Sequence, residues 1–241
     1  ELPKSDRKAM TGEQVAAMRA SIAENKKKAD AEQARRHEKA AAHAEFAWRK
    51  CLPLGESEYL KRKGVEAFGL RYSPHGNLVI PLLDAERRIH GLQVIWSKKK
   101  DGRDKDFWPA GLAKKGHFFL IGQPDRVLLV AEGYATAASL HMATQLPVLV
   151  AFDAGNLMPC AQIAHKKWPR AKILICADDD YRTDGNPGVT HAKNAAVAVG
   201  GEVIIPQFAE ERPQDRKGPT DFNDLHLAEG LHVVAKQVAD R

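Results

Sequence analysis

Short continuous runs of apolar residues occupy the second half of the chain, and amphipathic stretches separate them. The apolar runs predict four buried strands, at residues 127–131, 148–152, 173–177 and 202–206. The amphipathic stretches predict helices at 134–144, 157–168 and 189–199, with a final helix near 224–239. Apolar strands that alternate with helices indicate a parallel sheet with helices on both faces. The pattern therefore predicts a Rossmann-like α/β fold for this half.

The first half follows a different pattern. Residues 12–50 are rich in alanine and charge and contain no proline, which predicts a long solvated helix. Strand-like runs at 78–83 and 89–96 flank a charged turn, and a lysine-rich loop is predicted for 97–116. This pattern of short strands, turn and loop indicates a small mixed α+β subdomain. The expected units are an N-terminal helix or linker at 1–50, the subdomain at 51–122, the α/β domain at 123–208, and a loop with a C-terminal helix that completes it at 209–241.

Composition narrows the classes of protein that fit. The net charge of +6 favours a polyanionic partner. No apolar run approaches the roughly 20 residues that span a bilayer, so no membrane partner is expected. The chain begins without methionine and without the apolar core of a secretory signal, so we expect an excised fragment of a cytoplasmic protein. Cys51, Cys160 and Cys176 are too far apart for a zinc ribbon or a disulfide framework, and no zinc is expected.

Acidic residues follow two of the predicted strands. Glu132 comes directly after the first strand, and the triplet Asp178, Asp179 and Asp180 comes directly after the third. Ligands bind outside the carboxyl ends of parallel strands, so these acids are expected to face one crevice. In an extended chain Asp178 and Asp180 point to one side and Asp179 to the other. We therefore predict a cluster of Glu132, Asp178 and Asp180.

Three carboxylates that share a site need a counter-cation, because like charges raise each other's pKa. Oxygen ligands favour a hard divalent ion, so the cluster is predicted to bind Mg²⁺ or Mn²⁺. Asp221 and Asp224 offer further oxygen ligands, although either could instead cap the final helix. Lys193 is placed to reach a triphosphate, although a solvent-facing lysine is the simpler interpretation.

These acidic motifs resemble those of a known family. VLLVAEG at 127–133, together with ADDD at 177–180, is similar to the paired signature of the Toprim fold. DnaG-type primases share that fold with type IA and type II topoisomerases, OLD-family nucleases and recombination mediator proteins. EGYATA at 132–137 resembles primases of plasmids, phages and integrative elements. The resemblance implies that Glu132, Asp178 and Asp180 are the catalytic and metal-binding residues.

The resemblance extends upstream and covers roughly residues 55–230. YLKRKG at 59–64 and KDFWP at 105–109 are similar to the basic subdomain that precedes Toprim in primases, which implies a template or nucleotide contact for Lys105. Thr136 stands where DnaG-type enzymes carry a further aspartate, so one ligand is missing. The family's N-terminal zinc ribbon and C-terminal helicase-interacting region have no counterpart in this sequence.

The basic stretch at 87–117 lies just before the α/β domain. It carries nine lysines and arginines against three acids, a surplus of six that equals the whole net charge. Trp96, Phe107 and Trp108 lie within it, and aromatic side chains can stack unpaired bases at about 1–3 kcal/mol each. A solvated loop with aromatic residues in the core is the alternative. The candidate template or nucleotide contacts are Arg87, Arg88, Lys98, Lys99, Lys100, Arg103, Lys105, Lys114 and Lys115.

The sequence leaves three functions open. The first is a DNA primase core that uses nucleoside triphosphates to synthesise short primers on single-stranded DNA, with a replicative helicase or further domains as additional partners. The second is a metal-dependent Toprim nuclease. The third is a non-catalytic DNA-binding module of replication or conjugation. A kinase or dinucleotide-binding function is disfavoured because no glycine-rich loop follows the first strand of the α/β domain.

Overall fold

The computed structural model describes residues 12–100, 102–213 and 218–241, and of Lys99 and Lys100 it describes the backbone alone. The helices are α1 (Gly12–Arg49), α2 (Glu58–Lys63), α3 (Tyr134–Thr144), α4 (Leu157–Lys167), α5 (Pro187–Val199), α6 (Phe222–Glu229) and α7 (Leu231–Ala239), with a 3₁₀ turn at Ala154–Asn156. The strands are β1 (Arg71–Tyr72), β2 (Leu78–Leu83), β3 (Ile89–Lys100), β4 (Arg103–Trp108), β5 (Phe119–Ile121), β6 (Val127–Ala131), β7 (Val148–Val150), β8 (Lys172–Cys176) and β9 (Glu202–Ile204). No helix within the described ranges is long and apolar enough to cross a membrane.

Strands β1 to β4 form an antiparallel sheet in chain order. The turn between β2 and β3 is fixed by Asp84, whose carboxylate accepts hydrogen bonds from the N–H groups of Glu86 and Arg88. Strand β3 runs on to Lys100 and pairs with β4, so the predicted loop at 97–116 was wrong over its first part. Exposed residues alternate with half-buried ones along β4, and the strand is held by backbone pairing with β3. It therefore lacks the apolar run by which a buried strand can be predicted from sequence.

Strands β5 to β9 form the second sheet in the order β5-β7-β6-β8-β9. The four strands from β6 to β9 are parallel, and β5 runs antiparallel at one edge. Ala131 lies opposite Cys176 in the register, so Glu132 and Asp178 leave the sheet at the same edge. The predicted parallel α/β sheet is confirmed.

Helices cover both faces of the parallel sheet. Leu129 of β6 packs in a core with α3, α6 and α7, whereas its neighbours Leu128 and Val130 pack in a core with α4 and α5. The predicted final helix was wrong in one respect, because Gly230 divides it into α6 and α7. Gly230 has a φ of 90°, a value that L side chains rarely adopt and that ends the first helix.

The antiparallel sheet docks on the face that carries α3 and α6. Its residues Leu78, Ile80 and Leu82 belong to the same apolar core as the helices of that face. Asn223, fully buried on α6, donates from its side-chain amide to the backbone oxygen of Lys63 and to Ser139 Oγ. The basic subdomain is therefore attached to the region that carries the acidic motifs.

Candidate functional site

Glu132 lies at the carboxyl end of β6, the central strand of the parallel sheet. Its pKa is raised, chiefly by burial and then by the charges of Asp180 and Asp153. Lys105 and the N–H of Ala154, which donates to the carboxylate, act in the opposite direction. Glu132 is thus a half-buried acid that borders other acids and one lysine.

Asp178 lies one strand away, just after β8. Its pKa is raised well above the ordinary value, first by burial and then by Asp221, Glu132, Asp180 and Asp224. Its Oδ1 is buried and has no hydrogen-bond partner among the described residues. Such a group is costly in a folded protein unless a cation or a proton joins it.

The other two acids of the triplet have separate partners. Asp180 Oδ2 accepts a hydrogen bond from the N–H of Gly188 at 3.1 Å, near the start of α5. Asp179 is turned away, and its carboxylate accepts from the side chains of Asn186 and Arg212, each at 2.6 Å. The charge of Asp180 raises the pKa of both Glu132 and Asp178, and Glu132 also raises the pKa of Asp178. These three acids form a cluster, and Asp179, whose carboxylate is bound by Asn186 and Arg212, lies outside it.

Asp221 and Asp224 border the same acids from the start of α6. Asp221 caps this helix by accepting from the N–H groups of Asn223 and Asp224. Burial and the charge of Asp224 raise its pKa. Asp224 accepts from the N–H of Thr220 at 2.9 Å and lies 3.8 Å from the ammonium group of Lys63. Asp221 therefore both caps α6 and lies close enough to Asp178 to raise its pKa.

The chemistry of this cluster fits a hard divalent cation. Its possible ligand atoms are all carboxylate oxygens, and neighbouring carboxylates help to raise the pKa of Glu132, Asp178 and Asp221. One buried oxygen of Asp178 has no hydrogen-bond partner among the described residues. Over the ranges that the structure describes, no three acidic, histidine or cysteine side chains already stand close enough to enclose an ion. Mg²⁺ takes many of its ligands from water and substrate phosphates, so a site of this kind needs few protein ligands.

Asp153 is a site residue that the sequence interpretation missed. It caps the 3₁₀ turn after β7 and raises the pKa of Glu132 by its charge. Its carboxylate forms an ion pair with Lys114, whose ammonium lies 5.1 Å from the centre of the Phe107 ring. The rule that selected Glu132 and Asp178, an acid just past a parallel strand, also applies to Asp153.

Among the predicted basic residues whose side chains are described, two lie near the acids. Lys105 and Lys114 are adjacent to Glu132 and Asp153. Exposed Arg103 lies 3.7 Å from Asp106, and Lys98 and Lys115 are exposed. The side chains of Lys99 and Lys100 lie outside the described residues. Lys193 is exposed on α5, in agreement with the simpler interpretation.

Arg87 and Arg88 lie at the opposite end of β3 from Lys98. They line a cleft of about 760 Å³ between α1 and the turn before β3, together with His90, His117 and residues of α1. Two arginines and two glutamates line this cleft, so their charges balance and favour neither an anionic nor a cationic ligand. The seven of these nine basic residues whose side chains the structure describes are therefore distributed over the subdomain and do not form one patch.

Comparison with known proteins agrees with this geometry. Residues 127–232 match the family model of the Toprim domain. These residues include β6 to β9 and the acids at the carboxyl edge of the sheet, namely Glu132, Asp153, Asp178, Asp179, Asp180, Asp221 and Asp224, so the chain contains a Toprim domain. Its resemblance to Toprim DNA primases is confirmed by two relatives from Escherichia coli, both named DNA primase TraC. One is 35% identical over 190 residues, and the other is 33% identical over 231 residues.

The similarity covers most of this chain and little of the relatives. The first alignment includes 74% of the chain and 17% of the relative, and the second includes 91% and 15%. The chain thus spans about a sixth of the length of the TraC proteins. The remaining parts of the TraC proteins are not aligned with this chain.

Two solved structures share the fold. The zinc-binding and RNA polymerase domains of Aquifex aeolicus primase superimpose with a TM-score of 0.54 at 18% identity, over 86% of this chain and 61% of that one. A chain from the bacteriophage T7 lagging-strand DNA polymerase in complex with primase domains gives 0.50 at 16% identity, over 78% and 88%. At these identities the likeness concerns the fold.

Proposed function

We propose that this chain is the catalytic core of a DNA primase and joins nucleotides into short primers on a single-stranded DNA template. The observation that carries the proposal is the convergence of Glu132, Asp178 and Asp180 at one edge of a Toprim sheet, beside Lys105 of the basic subdomain. The TraC relatives are named DNA primases, which supports this activity over other Toprim activities.

In the proposed reaction the 3′-hydroxyl of the growing primer attacks the α-phosphate of a nucleoside triphosphate. A bond forms between the 3′-oxygen and the α-phosphorus, the bond to the β-phosphate bridge breaks, and pyrophosphate leaves while the hydroxyl proton passes to solvent. Mg²⁺ or Mn²⁺ at the carboxylates would supply charge neutralisation for these phosphates. Glu132, Asp178 and Asp180 would hold that ion, with Asp221 and Asp224 as further candidates.

Lysines on the other side of the acids would hold the polyanions. Exposed Lys105 is close enough to lower the pKa of Glu132, so it borders both the carboxylates and solvent. Exposed Trp108 and half-buried Phe107, on the same strand, are the candidate base-stacking residues. Template would thus lie along β4, with its phosphates toward the lysines.

The test is incorporation of labelled nucleotides on single-stranded DNA, with Mg²⁺, with Mn²⁺ and with neither. Asp178→Asn and Asp180→Asn should each lower the rate at least about 100-fold, since loss of several kcal/mol of charge stabilisation has this effect. Template binding, followed by fluorescence anisotropy, should change little. Asp184→Asn, at an exposed acid of the same loop, is the matched control and should retain the wild-type rate.

Other results would assign another function. Metal-dependent cleavage of DNA without incorporation would identify a Toprim nuclease. Template binding that is unaffected by metal and by both substitutions, without incorporation or cleavage, would identify a non-catalytic DNA-binding module. Either outcome contradicts the primase proposal.

A further inference from the structure

Asp179, the middle residue of the acidic triplet, connects the start of α5 to the segment that contains Arg212. It is buried, at 8% exposure, and both of its carboxylate oxygens are engaged. Oδ1 accepts from the side-chain amide of Asn186, and Oδ2 accepts from the guanidinium of Arg212, both at 2.6 Å. Charge-assisted hydrogen bonds of this length are about twice as strong as neutral ones.

Arg212 is fixed by more than this one bond. Its guanidinium lies over the ring of Tyr181, 4.1 Å from the centre, and 5.4 Å from the ring centre of Phe208. The hydroxyl of Tyr181 donates to the backbone oxygen of Pro213 at 2.6 Å. A planar guanidinium can stack and form hydrogen bonds at once, which an ammonium group cannot do.

The Arg212 side of this arrangement leads to Asp221 and Asp224, the two acids that border the cluster. The N–H of Asp179 donates to the backbone oxygen of Thr220 at 2.8 Å, and the N–H of Thr220 donates to Asp224 Oδ2 at 2.9 Å. Asp221 follows Thr220 directly. The position of Asp221 and Asp224 relative to the triplet is therefore tied to the contacts that Asp179 and Arg212 make.

The Asn186 side leads to a third acid. Asn186 caps α5, and two residues later the N–H of Gly188 donates to Asp180 Oδ2. A Cβ on Gly188 would collide with the backbone oxygen of Asp178, so the start of α5 lies directly against the triplet. The carboxylate of Asp179, which takes no part in the cluster, thus connects the segments that carry Asp180, Asp221 and Asp224.

We infer that Asp179 and Arg212 are positioning residues, which hold the segments bearing Asp180, Asp221 and Asp224 together against the repulsion between their carboxylates. This inference rests on the proposed function and adds residues to it. Neither side chain is assigned a contact with substrate. Residues that orient a metal's ligands typically change metal affinity about 10–100-fold when they are removed.

The test compares Arg212→Met, Arg212→Lys and Asp179→Asn with wild type at increasing Mg²⁺. Arg212→Met and Asp179→Asn should raise the Mg²⁺ concentration at half-maximal incorporation about 10-fold or more. The rate at saturating Mg²⁺ should stay within about 3-fold of wild type, because the reacting groups are unchanged. Arg212→Lys keeps the charge and should fall between wild type and Arg212→Met.

A second measurement does not depend on activity. Binding of Mn²⁺ alone, followed by electron paramagnetic resonance, should weaken by a similar factor in Arg212→Met and Asp179→Asn. The double variant should be no weaker than the single variants, because the two residues act as a pair. Arg182→Met, which removes an exposed arginine from the same loop, is the matched control and should match wild type.

The outcomes separate the inference from the proposed function. Wild-type midpoints for metal in folded Arg212→Met, or in Arg212→Lys if the methionine variant does not fold, would overturn the positioning role. A large loss of rate at saturating metal with an unchanged midpoint would also overturn it, since it would place Arg212 on the substrate. Absence of incorporation by wild type would contradict the proposed function, while the Mn²⁺ measurement would still test the inference.

Discussion

The phenol oxygen of Tyr134 accepts a hydrogen bond from the backbone N–H of Phe68 at 2.8 Å. The same hydroxyl donates to the backbone oxygen of Glu66, also at 2.8 Å. Tyr134 begins α3, two residues after Glu132, and its side chain is buried. One hydroxyl therefore ties the segment between α2 and β1 to the helix that follows the first acidic motif.

Tyr134→Phe should destabilise the protein by about 1–3 kcal/mol, because both backbone groups of the 66–68 segment lose a buried partner. Denaturant unfolding at neutral pH measures this change. Tyr72→Phe is the control, since burial alone raises the pKa of the Tyr72 hydroxyl and no hydrogen bond contributes to the shift. It should cost less than about 0.5 kcal/mol. Equal losses in the two variants would contradict the role assigned to the Tyr134 hydroxyl.

Asp178→Asn should stabilise the metal-free protein at alkaline pH. The pKa of Asp178 is raised above 3.8 in the folded state. At pH values between 3.8 and this raised pKa, the folded protein therefore binds more protons than the unfolded chain. The stability contribution of Asp178 thus falls as the pH rises through that window. Asparagine removes this penalty, so Asp178→Asn should have the higher melting temperature, by about 2–4 °C for each kcal/mol gained.

The melting temperature of chelator-treated protein at several pH values checks this expectation. Asp184→Asn, an exposed substitution nearby, should leave the pH dependence of wild type unchanged. Mg²⁺ should stabilise wild type more than Asp178→Asn, because binding to the folded state alone adds stability. A lower melting temperature for Asp178→Asn than for wild type at alkaline pH would refute the prediction.

Lys105→Ala should weaken binding of single-stranded DNA to a similar extent for all template sequences. A lysine that neutralises one phosphate contributes about 0.7 to the slope of log affinity against log salt concentration for single strands. Anisotropy titrations over a range of salt concentrations measure this slope. Lys236→Ala, at an exposed lysine of α7, should leave it unchanged. If the Lys105 variant keeps the wild-type slope, this residue does not contact a phosphate.

His117 should make the protein less stable in mild acid. Burial, followed by the charge of His90, lowers the pKa of His117 from 6.5 to about 4. The unfolded chain then binds more protons than the folded protein between these values, so stability is lost as the pH falls through this window. His117→Gln should lose less stability than wild type between neutral pH and about pH 5.

The difference in stability loss between wild type and His117→Gln isolates the effect of His117. Acids with a raised pKa stabilise the folded protein as the pH falls, which is the opposite effect, but these acids are present in both proteins. Denaturation midpoints at the two pH values provide the measurement. His75→Gln, at an exposed histidine of the β1–β2 turn, should behave like wild type. Parallel loss of stability in wild type and His117→Gln would show that His117 does not carry the acid sensitivity.

The strand pattern alone determined where the acids emerge. Buried parallel strands appear as continuous apolar runs, and their carboxyl ends share one edge, so the emergence of Glu132, Asp178 and Asp180 at that edge could be predicted without coordinates. The extent of the β3–β4 hairpin could not be predicted in this way. Polar residues alternate with partly buried ones along β4, and pairing with β3, rather than burial, holds it in place.

Tertiary structure decided which side chains surround those acids. Asp179 meets Arg212, 33 residues away, and Asn223 meets Lys63, 160 residues away, because folding brings segments that are distant in sequence into contact. Neither periodicity nor local propensity carries information about such pairs. Sequence thus specified the strands and the acidic edge through local hydrophobic patterning, whereas the partners of each carboxylate depended on contacts that exist only once the chain is folded.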